Sequence, residues 1–303
     1  MPRNSAGRRA VQSHRPNTAR KRRRVAPVPR GNIVWLASYP KSGNTWMRVF
    51  LANYIVGGDA PVSINQVHRI MIGDAVSGAY HKVNGGRYDP SAHLDHLRQR
   101  DAVMRGIASN GADLNFVKTH SLNGFAFGTR LIDPMYTRAA IYVVRDPRDV
   151  AVSYARHYAQ TPSQACRSIS RPDHSIRSSA ALVEQYLGDW SDHVRDWTGA
   201  RGFPVHTMRY EDMNADAHDA FRKVLAFVGM PVDEAKLDRA IRFSSFEELS
   251  AQERKNGFIE RSRNSDAFFH TGTTRQWETA LTPEDLAFME TKHGSAMRRF
   301  GYL

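Results

Sequence analysis

Five consecutive residues, Lys41, Ser42, Gly43, Asn44 and Thr45, bring an ammonium, two hydroxyls, an amide and a glycine into the stretch "SYPKSGNTW". The apolar run "NIVWLA" precedes them, and "MRVFLANYIV" follows with apolar residues at helical intervals. A strand, a tight turn and a helix are expected in that order. Such a turn aims backbone N–H groups and the positive end of the helix dipole at one point, which makes an anion site. Gly43 permits close backbone approach, and Ser42, Thr45 and Lys41 add donors. The triphosphate-binding order G-x-x-x-x-G-K-S/T is absent, because here the lysine precedes the glycine. Taken alone, the pattern also fits an ordinary strand–helix connection.

Two more segments carry chemistry after an apolar run. In "AIYVVRDPRDVAVSYARHY" (Ala140 to Tyr158) a strand ends at Val144 and "RDPRD" leads into a helix. Arg145 supplies a planar fork suited to phosphate, and Ser153, eight residues on, supplies a hydroxyl. Asp149 is read either as a partner of Arg148 or as a helix cap. In "FVKTHSL" (Phe116 to Leu122), Lys118 and His120 stand two apart at a strand end and so share a side. A histidine beside a lysine at that place is a candidate for proton transfer. The pair of histidines in "HLDH" (His93 to His96) fits a solvated helix face, and no metal is required.

These groups need a scaffold. Apolar runs predict strands over Ile33–Ala37, Asn115–Lys118, Ala139–Val144 and Val205–Arg209. Helical spacing predicts helices over Ala181–Trp197 and Ala220–Met230, the second stopped at Gly229. Strands alternating with helices imply an α/β fold with a central parallel sheet flanked by helices, in which ligands sit at the carboxyl ends of the strands. Pro61–Gly111 and Gln160–Ser179 resist this scheme and read as insertions or lids that choose a substrate. The ending "MRRFGYL" is expected to dock through Phe300 and Tyr302.

Composition sets the outer limits. With 303 residues, 41% of them hydrophobic, the chain has material for a sizeable core. A single cysteine, Cys166, excludes a disulfide framework and points to a reducing compartment, so a cytoplasmic location is expected. No run approaches the roughly 18–20 apolar residues of a membrane span. The net charge is +13, yet residues 1–30 hold ten Lys or Arg and no Asp or Glu, which leaves about +3 for residues 31–303. A specific nucleic-acid partner is therefore not expected. Residues 1–30 read as a disordered basic tail with no apolar secretory region, although an Arg-rich, acid-free leader is also the composition of an organellar transit peptide.

Together the three segments resemble the cytosolic sulfotransferases that use 3′-phosphoadenosine 5′-phosphosulfate (PAPS). "YPKSGNTW" looks like that family's loop for the 5′-phosphosulfate, "VVRDPRDVAVSY" like its 3′-phosphate segment, and "KTH" like its catalytic strand end. "RYEDM", "SSFEEL" and "FFHTGTTRQWETALT" extend the likeness in order across residues 33–282. The resemblance implies one sulfotransferase domain over residues 31–303 with a P-loop-like nucleotide-hydrolase fold. It implies that Lys41, Ser42, Gly43, Asn44 and Thr45 hold the 5′-phosphosulfate. Trp46, Tyr210, Ser244 and Phe246 would form the adenine pocket, and Arg145 and Ser153 would grip the 3′-phosphate. His120 would be the general base, with Lys118 near the sulfuryl group and Lys41 stabilising the departing phosphate of the product PAP.

One departure stands out. The family's Arg-Lys-Gly is here His270, Thr271 and Gly272, so two cations are missing. Arg275 is expected to reach back in their place, with His270 contributing when charged. The acceptor, whether a small molecule, a glycan or a lipid, is not legible, and a homodimer is left open. The competing readings are a P-loop kinase using Mg²⁺ and ATP, a nonenzymatic polyanion or membrane binder led by the tail, and a family member that binds nucleotide without transfer.

Overall fold

The computed structural model describes residues 31–86, 89 and 94–303; the basic tail lies outside the described residues, as does part of the expected insertion at Pro61–Gly111. Five strands form the central sheet: β1 (Ile33–Ser38), β2 (Ile72–Gly73), β3 (Asn115–Thr119), β4 (Thr137–Val144) and β5 (Val205–Arg209). Their order is β2-β3-β1-β4-β5 and every pairing is parallel. The expected strands all form. The edge strand β2, only two residues long, carries too little sequence to be read as one.

Side chains alternate across the sheet and feed two cores. Ile33, Trp35 and Ala37 of β1 join Val117, Tyr142 and Val144 on one face, while Val34 and Leu36 join Phe116, Ile141 and Val143 on the other. The first face is covered by α2 (Asp95–Ala108), α3 (Pro147–Tyr158), α4 (Trp190–Thr198) and α8 (Pro283–Arg299). The second is covered by α1 (Asn44–Val56), α5 (Ala217–Phe227), α6 (Glu234–Phe243) and α7 (Phe246–Asn256). The result is a single three-layer α/β domain.

Two helix expectations meet different outcomes. The stop at Gly229 holds: α5 ends at Phe227, and Gly229 takes a positive φ of 74°. The helix expected over Ala181–Trp197 is helical only from Trp190. Gly188 sits at φ 64°, Asp189 caps α4 by accepting from the backbone N–H of Asp192, and Gln185–Tyr186 pairs antiparallel with Ser175–Ile176. Leu182 and Tyr186 pack against the core from extended chain, so burial rather than a helix set their spacing. The carboxyl terminus does dock. Tyr302 is buried, its carbonyl accepts from Arg148 at 2.7 Å, and its hydroxyl donates to Glu211 at 2.9 Å.

The register brings the strand ends level. Ala37 lies opposite Thr119 and Tyr142, Ser38 opposite Val143, and Val144 opposite Arg209. The residues that follow at this edge are the turn at Lys41, His120, Arg145 and Tyr210.

Candidate active site

The turn between β1 and α1 is held open toward the strand ends. Lys41 takes φ 69° and Gly43 takes φ 105°, with Gly43 at the N-cap of α1. A Cβ on Gly43 would lie 2.7 Å from the Tyr210 ring, so only glycine fits there. Asn44 donates to the Leu36 carbonyl at 2.9 Å and pins the turn to β1. Ser42 Oγ, Trp46 Nε1 and Arg145 Nε are buried polar atoms with no hydrogen-bond partner among the described residues. Buried polar groups normally find partners, so orphans at a helix N-terminus mark a place built to receive an anion.

Arg145 stands beside this turn. Its guanidinium donates to the Lys41 carbonyl at 3.3 Å and the Thr273 carbonyl at 3.0 Å, and it lies 4.2 Å from the Tyr210 ring centroid. Both roles offered to Asp149 fall to its neighbour Asp146. Asp146 caps α3 and pairs with Arg148, whereas Asp149 pairs with Arg145 and accepts the backbone N–H groups of Arg275 and Trp277. Asp149 thus holds the carboxyl-end loop against α3.

At the end of β3, His120 Nδ1 lies 2.9 Å from the Ser38 carbonyl. A carbonyl only accepts, so Nδ1 carries the proton and Nε2 keeps its lone pair. His193 repeats the logic one layer deeper: Nε2 donates to the His120 carbonyl at 3.1 Å, and Nδ1 accepts from the Tyr142 hydroxyl at 2.9 Å. Thr119 donates to Asp74, which also pairs with Arg100 at 2.6 Å. Burial, reinforced by the charge of Lys118, pushes the His120 pKa well below the ordinary histidine value, so the ring is neutral at pH 7.

A carboxylate that the sequence did not flag organises the cations. Glu260 accepts two hydrogen bonds from Arg48, at 2.8 and 2.7 Å, and lies 3.4 Å from Lys118 Nζ. Burial works against its charge, but Arg48 and Lys118 outweigh burial and hold the carboxyl well below the usual range. Burial lowers the pKa of Lys118 and drives that of Lys41 down to about 7; Glu260 opposes this, and Arg145 adds to it. The Lys41 ammonium sits 3.8 Å from the Phe268 ring centroid.

One cavity of about 1100 Å³ collects these groups. Lys41, Gly43, Asn44, Thr45, Trp46, Lys118, His120, Arg145, Ser153, Tyr210, Ser244, Phe246 and Gly272 all line it. Ser42 departs from expectation: it is fully buried and not part of the wall, so its hydroxyl does not reach the cavity surface. Gly272 has φ 66°, and a Cβ there would lie 2.5 Å from Phe246; its carbonyl accepts from the Tyr210 hydroxyl at 2.9 Å.

Arg275 departs from expectation. It is not part of the cavity wall, and its side chain is 74% exposed and paired with Glu278, because its backbone N–H is anchored on Asp149. His270 does line the cavity, but burial and the charge of Arg156 lower its pKa below the ordinary histidine value, which disfavours its cation. Sequence reasoning also missed Arg156, although its position three residues after Ser153 on α3 is a readable helical signal. Of the two histidines in "HLDH", His93 lies outside the described residues, and His96 is buried with its ring stacked on Tyr186.

Known proteins agree with this architecture. Mouse sulfotransferase SULT7A1, solved with PAP, superposes with a TM-score of 0.58 at 20% identity, over 89% of this chain and 85% of that one. Retinol dehydratase, solved with androsterone and the inactive cofactor PAP, gives 0.60 at 17% identity, over 89% and 82%. Among curated sequences, cytosolic sulfotransferase 5 of Arabidopsis thaliana is 24% identical over 292 residues, spanning 89% of this chain and 82% of that protein. Sulfotransferase 1A1 of Canis lupus familiaris is 26% identical over 256 residues, spanning 82% and 77%. The family pattern described as the sulfotransferase domain matches residues 32–301, nearly the whole described fold, and the chain is a member of that enzyme family.

Proposed function

We propose that the protein moves the sulfuryl group of PAPS to a hydroxyl or amine of an acceptor, with His120 as general base, and releases PAP. The reading rests above all on one convergence: the turn at Lys41 to Thr45, the pair Arg145 and Ser153, and His120 share one cavity, although they come from three separate strands. The orphaned donors Trp46 Nε1 and Arg145 Nε, on residues that line the cavity, fit an anionic nucleotide. The PAP bound by both solved relatives supports the same cofactor.

PAPS supplies an activated sulfuryl group on a phosphate leaving group. The protein's tasks are alignment and neutralisation of charge. The turn residues Lys41, Ser42, Gly43, Asn44 and Thr45 hold the 5′ end, and Trp46, Tyr210, Ser244 and Phe246 flank the base. His120 Nε2, already a free lone pair, takes the acceptor's proton. Lys118, fixed by Glu260, sits beside that histidine, and Lys41 offers positive charge to the departing oxygen.

The part of the cavity wall formed by Met71, Val76, Ile176 and Leu182 is apolar. The androsterone bound by retinol dehydratase supports an apolar small-molecule acceptor here as well. The test is transfer from labelled PAPS to a panel of hydroxyl and amine acceptors, with wild type beside His120→Ala and Lys41→Ala. Label transferred by wild type and lost in both variants is expected. Transfer undiminished by either substitution would overturn these roles.

A further inference from the structure

Two cations are missing from the carboxyl-end motif and Arg275 is exposed and paired with Glu278, yet the subsite beside Arg145 still faces a phosphate under the proposed reading. The cavity wall offers a replacement on a different element. Ser153 and Arg156 lie one helical turn apart on α3 and both face the cavity. Arg156 Nη1 donates to Gln276 Oε1 at 2.5 Å, and Gln276 Nε2 donates to the Thr273 carbonyl at 2.8 Å. Arg145 donates to that same carbonyl at 3.0 Å. Two guanidinium groups, one direct and one through a glutamine, are therefore tied to a single backbone group, with the Ser153 position on the helix between them. Gln276 and Thr271 complete the wall on the loop side.

We propose that Arg156, held by Gln276, is the missing cation: with Arg145 and Ser153 it binds the 3′-phosphate of the nucleotide and so selects 3′-phosphorylated over plain adenosine nucleotides. The inference deepens the cofactor reading above and depends on it. Arginine suits the task because its planar fork keeps two donors for a phosphate while a third stays on Gln276. Gln276 is neutral, so it fixes the fork without cancelling its charge, unlike Glu278 beside Arg275.

The experiment is calorimetric titration of wild type, Arg156→Ala, Arg156→Lys and Gln276→Ala with PAP and with adenosine 5′-phosphate, which lacks the 3′-phosphate. Loss of a charge-assisted contact predicts that Arg156→Ala weakens PAP binding about 10- to 100-fold, with adenosine 5′-phosphate affinity unchanged. Arg156→Lys should recover part of the loss, and Gln276→Ala should show a smaller, PAP-selective loss. If Arg156→Ala leaves the preference for PAP intact, or weakens both nucleotides equally, Arg156 is not the contact. If wild type itself does not prefer PAP, the cofactor reading falls first. Circular dichroism and a thermal melt of each variant keep a folding defect apart from a binding one.

Discussion

At the scale of single residues, two titratable groups carry opposite instructions. His120 is kept neutral, with its proton fixed on Nδ1 by the Ser38 carbonyl, so it is ready as a base over the whole range above its lowered pKa. Replacing it with alanine should lower kcat by about 10²- to 10⁴-fold, the usual worth of a positioned base. PAP affinity should not change, because the proposed nucleotide contacts follow the other strands. A loss confined to PAP affinity would reassign the ring to binding. Lys41 is the reverse case. Burial brings it to about pKa 7, and a bound phosphate must raise it, since an adjacent anion favours the charged form. Well above pH 7 the free protein has largely lost that proton, and the complex is expected to hold it. Binding of PAP should then take up to about one proton near pH 8 and weaken as pH rises. Calorimetry at pH 8 in buffers of different ionisation enthalpy measures that uptake. It should vanish in Lys41→Met, and equal uptake in the variant would place the titrating group elsewhere.

At the scale of elements, β3, which leads into His120, is anchored from the sheet edge. Asp74, just after β2, accepts from Arg100 of α2 at 2.6 Å and from Thr119 of β3 at 2.9 Å, and all three are buried. Asp74→Ala leaves a buried guanidinium without its carboxylate, a change that costs about 3–5 kcal/mol. Urea unfolding should show it as a lower midpoint, with kcat reduced because Thr119 precedes His120. An unchanged midpoint would mean that Arg100 finds another partner. Nothing in the sequence announced this pair. The long strands were legible because a parallel strand buried on both faces is a continuous apolar run, and the turn was legible because its donors are consecutive. The pair Arg48–Glu260 joins residues 212 apart through a segment with no periodicity, which no local pattern encodes. At Ala181–Trp197 the failure ran the other way. Steps of four were read as one helix, and Gly188 with Asp189 was the punctuation that should have split it.

At the scale of the whole molecule, the charge is divided between the tail and the site. Residues 1–30 carry most of the net +13, while Lys41, Arg48, Lys118, Arg145 and Arg156 stand within or behind one cavity with Glu260 among them. Short-range contacts inside the cavity are screened little by salt. Between charges that act across solvent, the Debye length is about 8 Å at 0.15 M ionic strength and about 30 Å at 0.01 M. The family pattern begins at residue 32, β1 begins at Ile33, and the cavity residues named above all follow them. A chain that starts at Gly31 should therefore fold with an unchanged melting temperature and, at 0.15 M salt, bind PAP with a Kd within about twofold of the full chain's. At 0.01 M salt the full chain should capture PAP faster, because ten extra positive charges then steer a polyanion. Stopped-flow titration of both chains at the two salt concentrations decides the matter. A shortened chain that loses PAP binding at 0.15 M salt would make the tail part of the site and would revive the reading in which it leads the function.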